Sequence, residues 1–193
     1  MATDAGFEVV GFVENVDRTK AGTTLRGFPI YWIDEIGELT VSHQMVCGLG
    51  TTLRTHFIKQ GQDAGFSFAT VVHPTARVST TATLGPGSVV NAGALIAAHV
   101  IVHPHVYVNR GALIGHHTEI GSFSSIMPGA NIGGNATIGG GVYAGMGSIV
   151  LDRITVGDGT IVGAGAVVTK DLPAGVLAVG VPARIAKEEV EGI

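Results

Sequence analysis

Residues 114–149 read IGHHTE, IGSFSS, IMPGAN, IGGNAT, IGGGVY and AGMGSI, which are six consecutive units of six residues in one phase. The phase continues in both directions, so that residues 72–173 form seventeen units without an insertion. The first position is Val, Ile or Leu in sixteen units, with Ala144 as the exception, and the fifth is mostly Ala, Ser, Thr or Val. Gly or Asn often fills the second position. A period held this long predicts a solenoid built from one repeated element.

The composition of each unit predicts the shape of that element. Two inward positions per unit, one large and one small, suit a short strand followed by a tight corner, where Gly and Asn accept a positive φ. Three strands then make one triangular coil of eighteen residues, and the coils stack at the strand spacing of about 4.8 Å. We therefore predict a mainly β fold, a parallel β-helix with an aliphatic core over residues 72–173.

The overall composition argues against several classes of protein. No run of about 18 apolar residues is present, so a membrane-spanning helix is not expected, and the N-terminal MATDAGFEVV lacks the pattern of a secretory signal. The net charge of −4 and the scattered Lys and Arg give no basic stripe for nucleic acid. The single cysteine, Cys47, excludes an intramolecular disulfide. We expect a cytoplasmic protein.

The flanking segments predict two smaller parts. Residues 1–71 predict a small α/β domain of Rossmann-like type. Its predicted elements are a strand at Glu8–Val13, a strand and a helix start in TLRGFPIYWIDEI, a strand in HQMVCGLG and a helix in TTLRTHFIKQGQDAG. Residues 174–193 leave the repeat after Pro173, and the segment ARIAKEEVE predicts a short helix that covers the last coil.

The repeat resembles that of the hexapeptide-repeat acyltransferases, and this resemblance implies a left-handed β-helix, a homotrimer and active sites between neighbouring chains. The exit segment GVPAR at residues 180–184 is similar to that of the same family. The phrases GFVEN, GFPI and HPTA, which begin at residues 11, 27 and 73, resemble a narrower branch. That branch contains sialic acid O-acetyltransferases and nucleotide-amino-sugar N-acetyltransferases. Its members begin with one more strand and a G-x-G-G-H turn, which this sequence lacks, so the resemblance implies that the N-terminal α/β domain is truncated.

The resemblance implies acetyl-CoA as the acyl donor, a sugar or nucleotide sugar as the acceptor, and His116 as the catalytic base. An acceptor amine or hydroxyl must lose a proton as it attacks the thioester, and imidazole titrates near neutral pH. Relatives commonly carry Glu or Asp at the next position, where this chain has His117. Three arrangements remain open: His117 orients His116 as a neutral imidazole, Glu119 reaches in, or a backbone carbonyl suffices.

Further site residues follow from the same resemblance. CoA contacts are expected at Ser125, Gly134, Met146 and Ala164. Acceptor contacts are expected at Asn109, Glu14, Asn15 and Gly50. We also expect backbone amides near Gly133 and Gly134 to stabilise the oxyanion, and Lys170 and Arg184 to meet the phosphates of CoA.

Two other functions remain possible at this level. A γ-class carbonic anhydrase has the same fold, but its H-x-x-x-x-H motif fails here, since the residues five after His116 and His117 are Gly121 and Ser122. His99 and His117 are nevertheless one coil apart, close enough to stack at about 5 Å. Because His103 and His105 are nearby, a metal site stays open, although no metal ligands are assigned. A β-helix without an active site, serving as a scaffold, is the third hypothesis.

Overall fold

The N-terminal region forms a small three-stranded sheet and one helix in the computed structural model, which describes residues 1–190. Strand β1 (Phe12–Glu14) pairs in parallel with β3 (Phe28–Trp32), and β2 (Thr24–Leu25) pairs with β3 in antiparallel orientation. Helix α1 spans Thr55–Asp63. Short 3₁₀ turns occupy Thr3–Ala5, Arg18–Lys20, Ile33–Glu35, Gly37–Val41 and Thr52–Arg54.

The remaining strands form the three faces of a left-handed parallel β-helix. The first sheet contains β4 (Val71–Val72), β7 (Val89–Val90), β10 (Tyr107–Val108), β13 (Ser125–Ile126), β16 (Tyr143–Ala144), β19 (Ile161–Val162), β21 (Leu177–Val179) and β22 (Arg184–Lys187). The second contains β5 (Arg77–Val78), β8 (Leu95–Ile96), β11 (Leu113–Ile114), β14 (Asn131–Ile132), β17 (Ile149–Val150) and β20 (Val167–Val168). The third contains β6 (Thr83–Leu84), β9 (Ile101–Val102), β12 (Glu119–Ile120), β15 (Thr137–Ile138) and β18 (Thr155–Val156).

The strands pair in the register that the repeat predicts. Tyr107 lies opposite Val89 and Ser125, and Leu113 lies opposite Leu95 and Asn131, so that each neighbour is eighteen residues away. First-position residues from Val90 to Val168 and fifth-position residues from Ala94 to Ala166 supply nearly all of the buried apolar core. The predicted alternation of a large and a small inward side chain is therefore confirmed.

The corners differ from the prediction in one respect. Positive φ falls on the fourth position of the unit, as at Gly129 and His117, rather than on the second. Second-position glycines lie instead where the coils approach most closely. A Cβ added to Gly115 would lie 2.5 Å from the amide nitrogen of Gly134 in the next coil. The glycine at this position is required for contact between coils and not for conformational freedom.

The two flanking predictions are only partly correct. The prediction of a C-terminal helix is wrong over the described residues. Arg184–Lys187 instead forms β22, which pairs antiparallel with β21 at the edge of the first sheet. Residues 191–193 lie outside the described part of the chain. The strand predicted at Glu8–Val13 begins only at Phe12, because Gly11 would lie opposite Pro29, which has no N–H to donate. The segment HQMVCGLG forms a single bridge, between Met45 and Phe68.

The helix predicted in TTLRTHFIKQGQDAG is confirmed as α1, which is followed by Gly65 with a φ of 95°. Within residues 1–190, no helix combines the length and apolar character needed to cross a membrane.

A buried arginine joins the N-terminal region to the first sheet. Arg54 is 1% exposed, and its guanidinium donates to the Oγ of Ser125 at 2.6 Å and to the carbonyl oxygens of His105, Phe123 and Ser124 at 2.8–2.9 Å. The buried guanidinium is thus stabilised by hydrogen bonds to neutral oxygen atoms of two successive coils. Burial, and secondarily the Arg54 charge, lowers the pKa of His105.

Replacing Arg54 with Met should destabilise the protein by about 3 kcal/mol, because three buried carbonyls would lose a charged donor while the side-chain volume is kept. The measurement is the free energy of unfolding in urea. Arg26→Met, at an exposed site, is the matched control. An equal, small effect in both variants would contradict the structural role of Arg54.

Candidate active site

His116 and His117 lie at the corner between the second and third sheets, which we call the second corner. Both side chains are exposed. Their Nδ1 atoms are 3.1 Å apart, and the ring planes are nearly perpendicular, at 85°. A hydrogen bond between two imidazole nitrogens requires one to carry a proton and the other to lack one. The contact therefore joins the two rings as one donor and one acceptor.

The other side of the His116 ring lies over Gly134 of the next coil. A Cβ added to Gly134 would be 2.9 Å from Nε2 and 3.0 Å from Cε1 of His116. Only a residue without a side chain leaves the ring in this position. Gly134 thus shapes the site as a bare surface under the imidazole.

The structure does not support the oxyanion site expected at the amides of Gly133 and Gly134. The Gly133 amide donates to the carbonyl of Val150 at 2.8 Å, and the Gly134 amide donates to Oδ1 of Asp152 at 2.7 Å. Both amide hydrogens already have acceptors within the chain. The sequence did not predict Asp152 as a hydrogen-bond acceptor for Gly134, because the repeat determines the column of Asp152 but not the direction of its side chain.

Of the three arrangements for orienting His116, the structure favours His117. The carboxylate of Glu119 instead contacts Nε2 of His103 at 2.7 Å. Within residues 1–190, carboxylates approach only two histidines, His73 and His103. The imidazole of His117 is consequently the partner of His116 in this structure.

The stacking of His99 on His117 also tests the metal hypothesis. The ring centroids are 4.7 Å apart, as the eighteen-residue spacing predicts. In the described part of the chain, no three or more side chains of His, Cys, Asp or Glu are grouped so that they could hold a metal ion.

The second group of predicted residues lies at the other end of the second sheet, where it meets the first; we call this the first corner. Met146 is 56% exposed, and Ala164 is exposed one coil beyond it. Asn109, at the end of β10, is buried, and its Oδ1 accepts from the backbone N–H of Arg110 at 2.8 Å. Gly50 approaches the same region from the N-terminal side, close to Tyr107 and Met127.

The CoA contact predicted at Ser125 involves a side chain that is already engaged in this structure. Ser125 is fully buried, and its Oγ accepts the hydrogen bond from Arg54. Ser125 lies on the first sheet, opposite Tyr107, with its hydroxyl directed at Arg54, and the CoA contact at this position stays a prediction. No sequence pattern indicated Arg54, since the repeat carries no information about contacts from outside it.

Glu14 organises its own loop. Its Oε1 accepts from the backbone amides of Asn15, Val16 and Asp17 at 2.9–3.2 Å. The amides of Val16 and Asp17 are the main reason that the pKa of Glu14 falls to about 2, with smaller contributions from Asn15 and Lys20. One carboxylate oxygen of Glu14 is thus engaged within the loop, and the other, Oε2, lies 3.4 Å from Nζ of Lys20.

Asn15 links this loop to α1. Its side-chain nitrogen, Nδ2, donates to Oε1 of Gln60 at 2.7 Å. Gln60 also lines an open cavity of 240 Å³ on α1, together with His56, Lys59 and Asp63.

Positive charge collects at the C-terminal end of the second corner. Lys170 lies three coils beyond His116 in the same column, and it borders a cavity of 410 Å³ with Asp171, Leu172, Ala183, Arg184 and Ile185. The carboxylate of Asp171 is engaged by the amide of Thr155 at 2.8 Å. Lys170 and Arg184 are the two cations of this cavity.

Comparison with known proteins identifies the family of this chain. Residues 135–170 match the family described as Bacterial transferase hexapeptide (six repeats), and comparison with curated proteins gave no match. The acetyltransferase domain of PglB from Neisseria gonorrhoeae, solved with acetyl coenzyme A, is 31% identical, with a TM-score of 0.81 and with 91% of this chain and 86% of that chain covered. The chain belongs to the hexapeptide-repeat acyltransferases.

Two further solved structures are similar to this chain. PerB from Caulobacter crescentus, in complex with CoA and GDP-perosamine, is 31% identical over 86% of this chain and 82% of that chain, with a TM-score of 0.69. WeeI from Acinetobacter baumannii is 22% identical over 91% and 84% of the two chains, with a TM-score of 0.60, and supports the fold alone. The predicted family, its nucleotide-amino-sugar branch and the enzyme class are confirmed, and the scaffold and carbonic anhydrase hypotheses are set aside.

Gly134→Ala should lower kcat strongly while leaving the fold intact, because the new methyl group would push aside the flexible end of His116. Gly140→Ala is the matched control. The Gly140 amide also donates to an aspartate of the next coil, Asp158. A Cβ added to Gly140, however, would have no neighbouring atom closer than 3.5 Å. Melting temperature and steady-state rates of both variants test this. Equal rates in the two variants would show that the placement of His116 over Gly134 is irrelevant.

Proposed function

We propose that this enzyme transfers the acetyl group of acetyl-CoA to an amino group of a nucleotide-linked amino sugar in the cytoplasm. The observation that carries the proposal is the His116 imidazole, backed by His117 and lying over the bare surface of Gly134. The complexes of PglB with acetyl coenzyme A and of PerB with CoA and GDP-perosamine support this donor and this class of acceptor. Two histidine variants of the GDP-perosamine N-acetyltransferase from Caulobacter crescentus, solved with the same two ligands, are 30% identical to this chain, which favours an amine over a hydroxyl acceptor.

The proposed mechanism is direct transfer. The amine nitrogen attacks the thioester carbonyl, and the amine proton passes to Nε2 of His116. The C–S bond then breaks, and CoA leaves as the thiolate, which takes that proton from His116 to become the thiol. Nε2 accepts this proton only if the resting proton of His116 is on Nδ1, where it is donated to Nδ1 of His117. His117 thereby fixes the tautomer of the base. No covalent enzyme intermediate is required.

A homotrimer would complete the site. The outer face of the second sheet exposes Leu95, Leu113 and Ile149, with Asn131 between the last two. A neighbouring copy would cover this mostly apolar column, which we call the apolar ladder. A threefold axis facing this sheet brings the second corner of one chain beside the first corner of the next. His116 and Gly134 of one chain would then face Met146 and Ala164 of its neighbour across one groove.

The charged end of the second corner suits the phosphates of CoA. Three coils separate Lys170 from His116, and at the strand spacing this amounts to about 14 Å. An extended pantetheine arm covers such a distance between the thioester and the pyrophosphate. With its thioester at His116, acetyl-CoA would place its phosphates near Lys170 and Arg184. The acceptor would approach past Gly50 and Asn109, with Asn15 and Glu14 on its nucleotide side.

His116→Ala should lower kcat by about 10² or more, because general-base help of this kind contributes about 10²–10⁴-fold. Acetyl-CoA binding, measured by calorimetry, should be unchanged, and His43→Ala should retain full activity as a histidine control outside both corners. Turnover of a panel of nucleotide amino sugars gives the rates. Wild-type and His116→Ala rates that coincide on a true substrate would refute the assignment.

Coexpression of His116→Ala with Ala164→Trp tests whether the site is shared between chains. Each variant alone should be inactive, since one lacks the base and the other fills the groove. Mixed trimers should regain about a quarter of the wild-type sites, because an intact second corner then meets an intact first corner. Mixed and pure preparations that are equally inactive would place both corners in one chain's site.

A further inference from the structure

We propose that His99 is a positioning residue, which acts on the base His116 only through His117; this inference rests on the proposed function. His99 occupies the second corner one coil before His117. The two residues have nearly the same left-handed backbone, with φ of 59° and 57°. Their rings pack at 4.7 Å between centroids, with an angle of 41° between the planes.

The backbone fixes both ends of this stack. The amide of His117 donates to the carbonyl of Ala98 at 3.0 Å, and the amide of His99 donates to Oγ1 of Thr81 at 3.1 Å. Since the two corners are held in register and share one φ, their side chains leave the backbone in the same direction. The face of His99 therefore limits the rotation of the His117 ring.

That rotation matters because His117 has two different nitrogens. His116 is oriented as a base only while His117 presents an unprotonated Nδ1 at hydrogen-bond distance, which is 3.1 Å here. A carboxylate in the place of His117 would accept equally well after a half-turn, because its two oxygens are equivalent. An imidazole would not, so this chain needs a further contact that keeps the ring in one orientation. His99 supplies that contact.

The test compares four proteins: wild type, His99→Asn, His117→Asp and the double variant. Asn and Asp both tolerate left-handed φ, so the corner is kept. His99→Asn should lower kcat by about tenfold, a fraction of the effect of a general base, with the KM for acetyl-CoA unchanged. In the His117→Asp background, the same substitution should change kcat by less than about twofold, because the coupling runs through His117.

Arg153→Asn is the matched control for the corner itself, since Arg153 has a φ of 61° at the second corner two coils beyond His117. It measures how far a corner substitution alone changes the melting temperature. A merely structural role of His99 would lower kcat equally in both backgrounds, and that result would overturn the proposal. An unchanged kcat in His99→Asn would overturn it as well.

Imidazole ¹⁵N spectroscopy separates this inference from the proposed function, because it needs no substrate. In wild type, His116 and His117 should show one tautomer each, whereas in His99→Asn the His117 signals should average between tautomers. Identical spectra would refute the positioning role. If the wild-type enzyme acetylates no nucleotide amino sugar, the proposed function fails while these spectra still decide the role of His99.

Discussion

The structure depends on one constraint, the contact between successive coils at eighteen-residue spacing. Each strand bonds to the strand one coil away, and the second-position glycines let the backbones meet at distances that a Cβ would prevent, as at Gly115 against Gly134. A side chain at a corner therefore has a fixed neighbour above and below it. The site inherits its geometry from this stacking, because the His116 ring occupies the space over Gly134 that any side chain there would take.

The same stacking divides the site. His116 and His117 lie at one end of the second sheet, while Met146, Ala164 and Asn109 lie at the other. One rigid coil cannot bring its own two ends together. The apolar ladder between them offers a surface for a neighbouring chain, so that symmetry, and not flexibility of the coil, would close the proposed groove.

The sequence predicted the structural features that the periodicity controls, and it missed the side-chain contacts that the periodicity does not control. The strands, their register, the core positions and the columns of His116 and His99 all follow from the phase of the repeat. The hydrogen bonds that join Arg54 to Ser125, Gly134 to Asp152 and His103 to Glu119 do not, because each depends on the rotamer that one side chain adopts. At the C-terminus the helix-favouring segment ARIAKEEVE instead supplies β22, because the open edge of β21 offers it a backbone partner.

The left-handed backbone of His117 also bears on how the site can evolve. With a φ of 57°, the position accepts His, Asn, Asp or Gly at low cost and penalises β-branched and bulky residues. Codons for His and Asp differ by a single base, so a point mutation exchanges an imidazole partner for a carboxylate partner without rebuilding the corner. After that exchange, a ring stacked against the position would no longer be needed to orient the partner of His116. Residue 99 would then be free to change, so that residues one coil apart would vary together across a lineage.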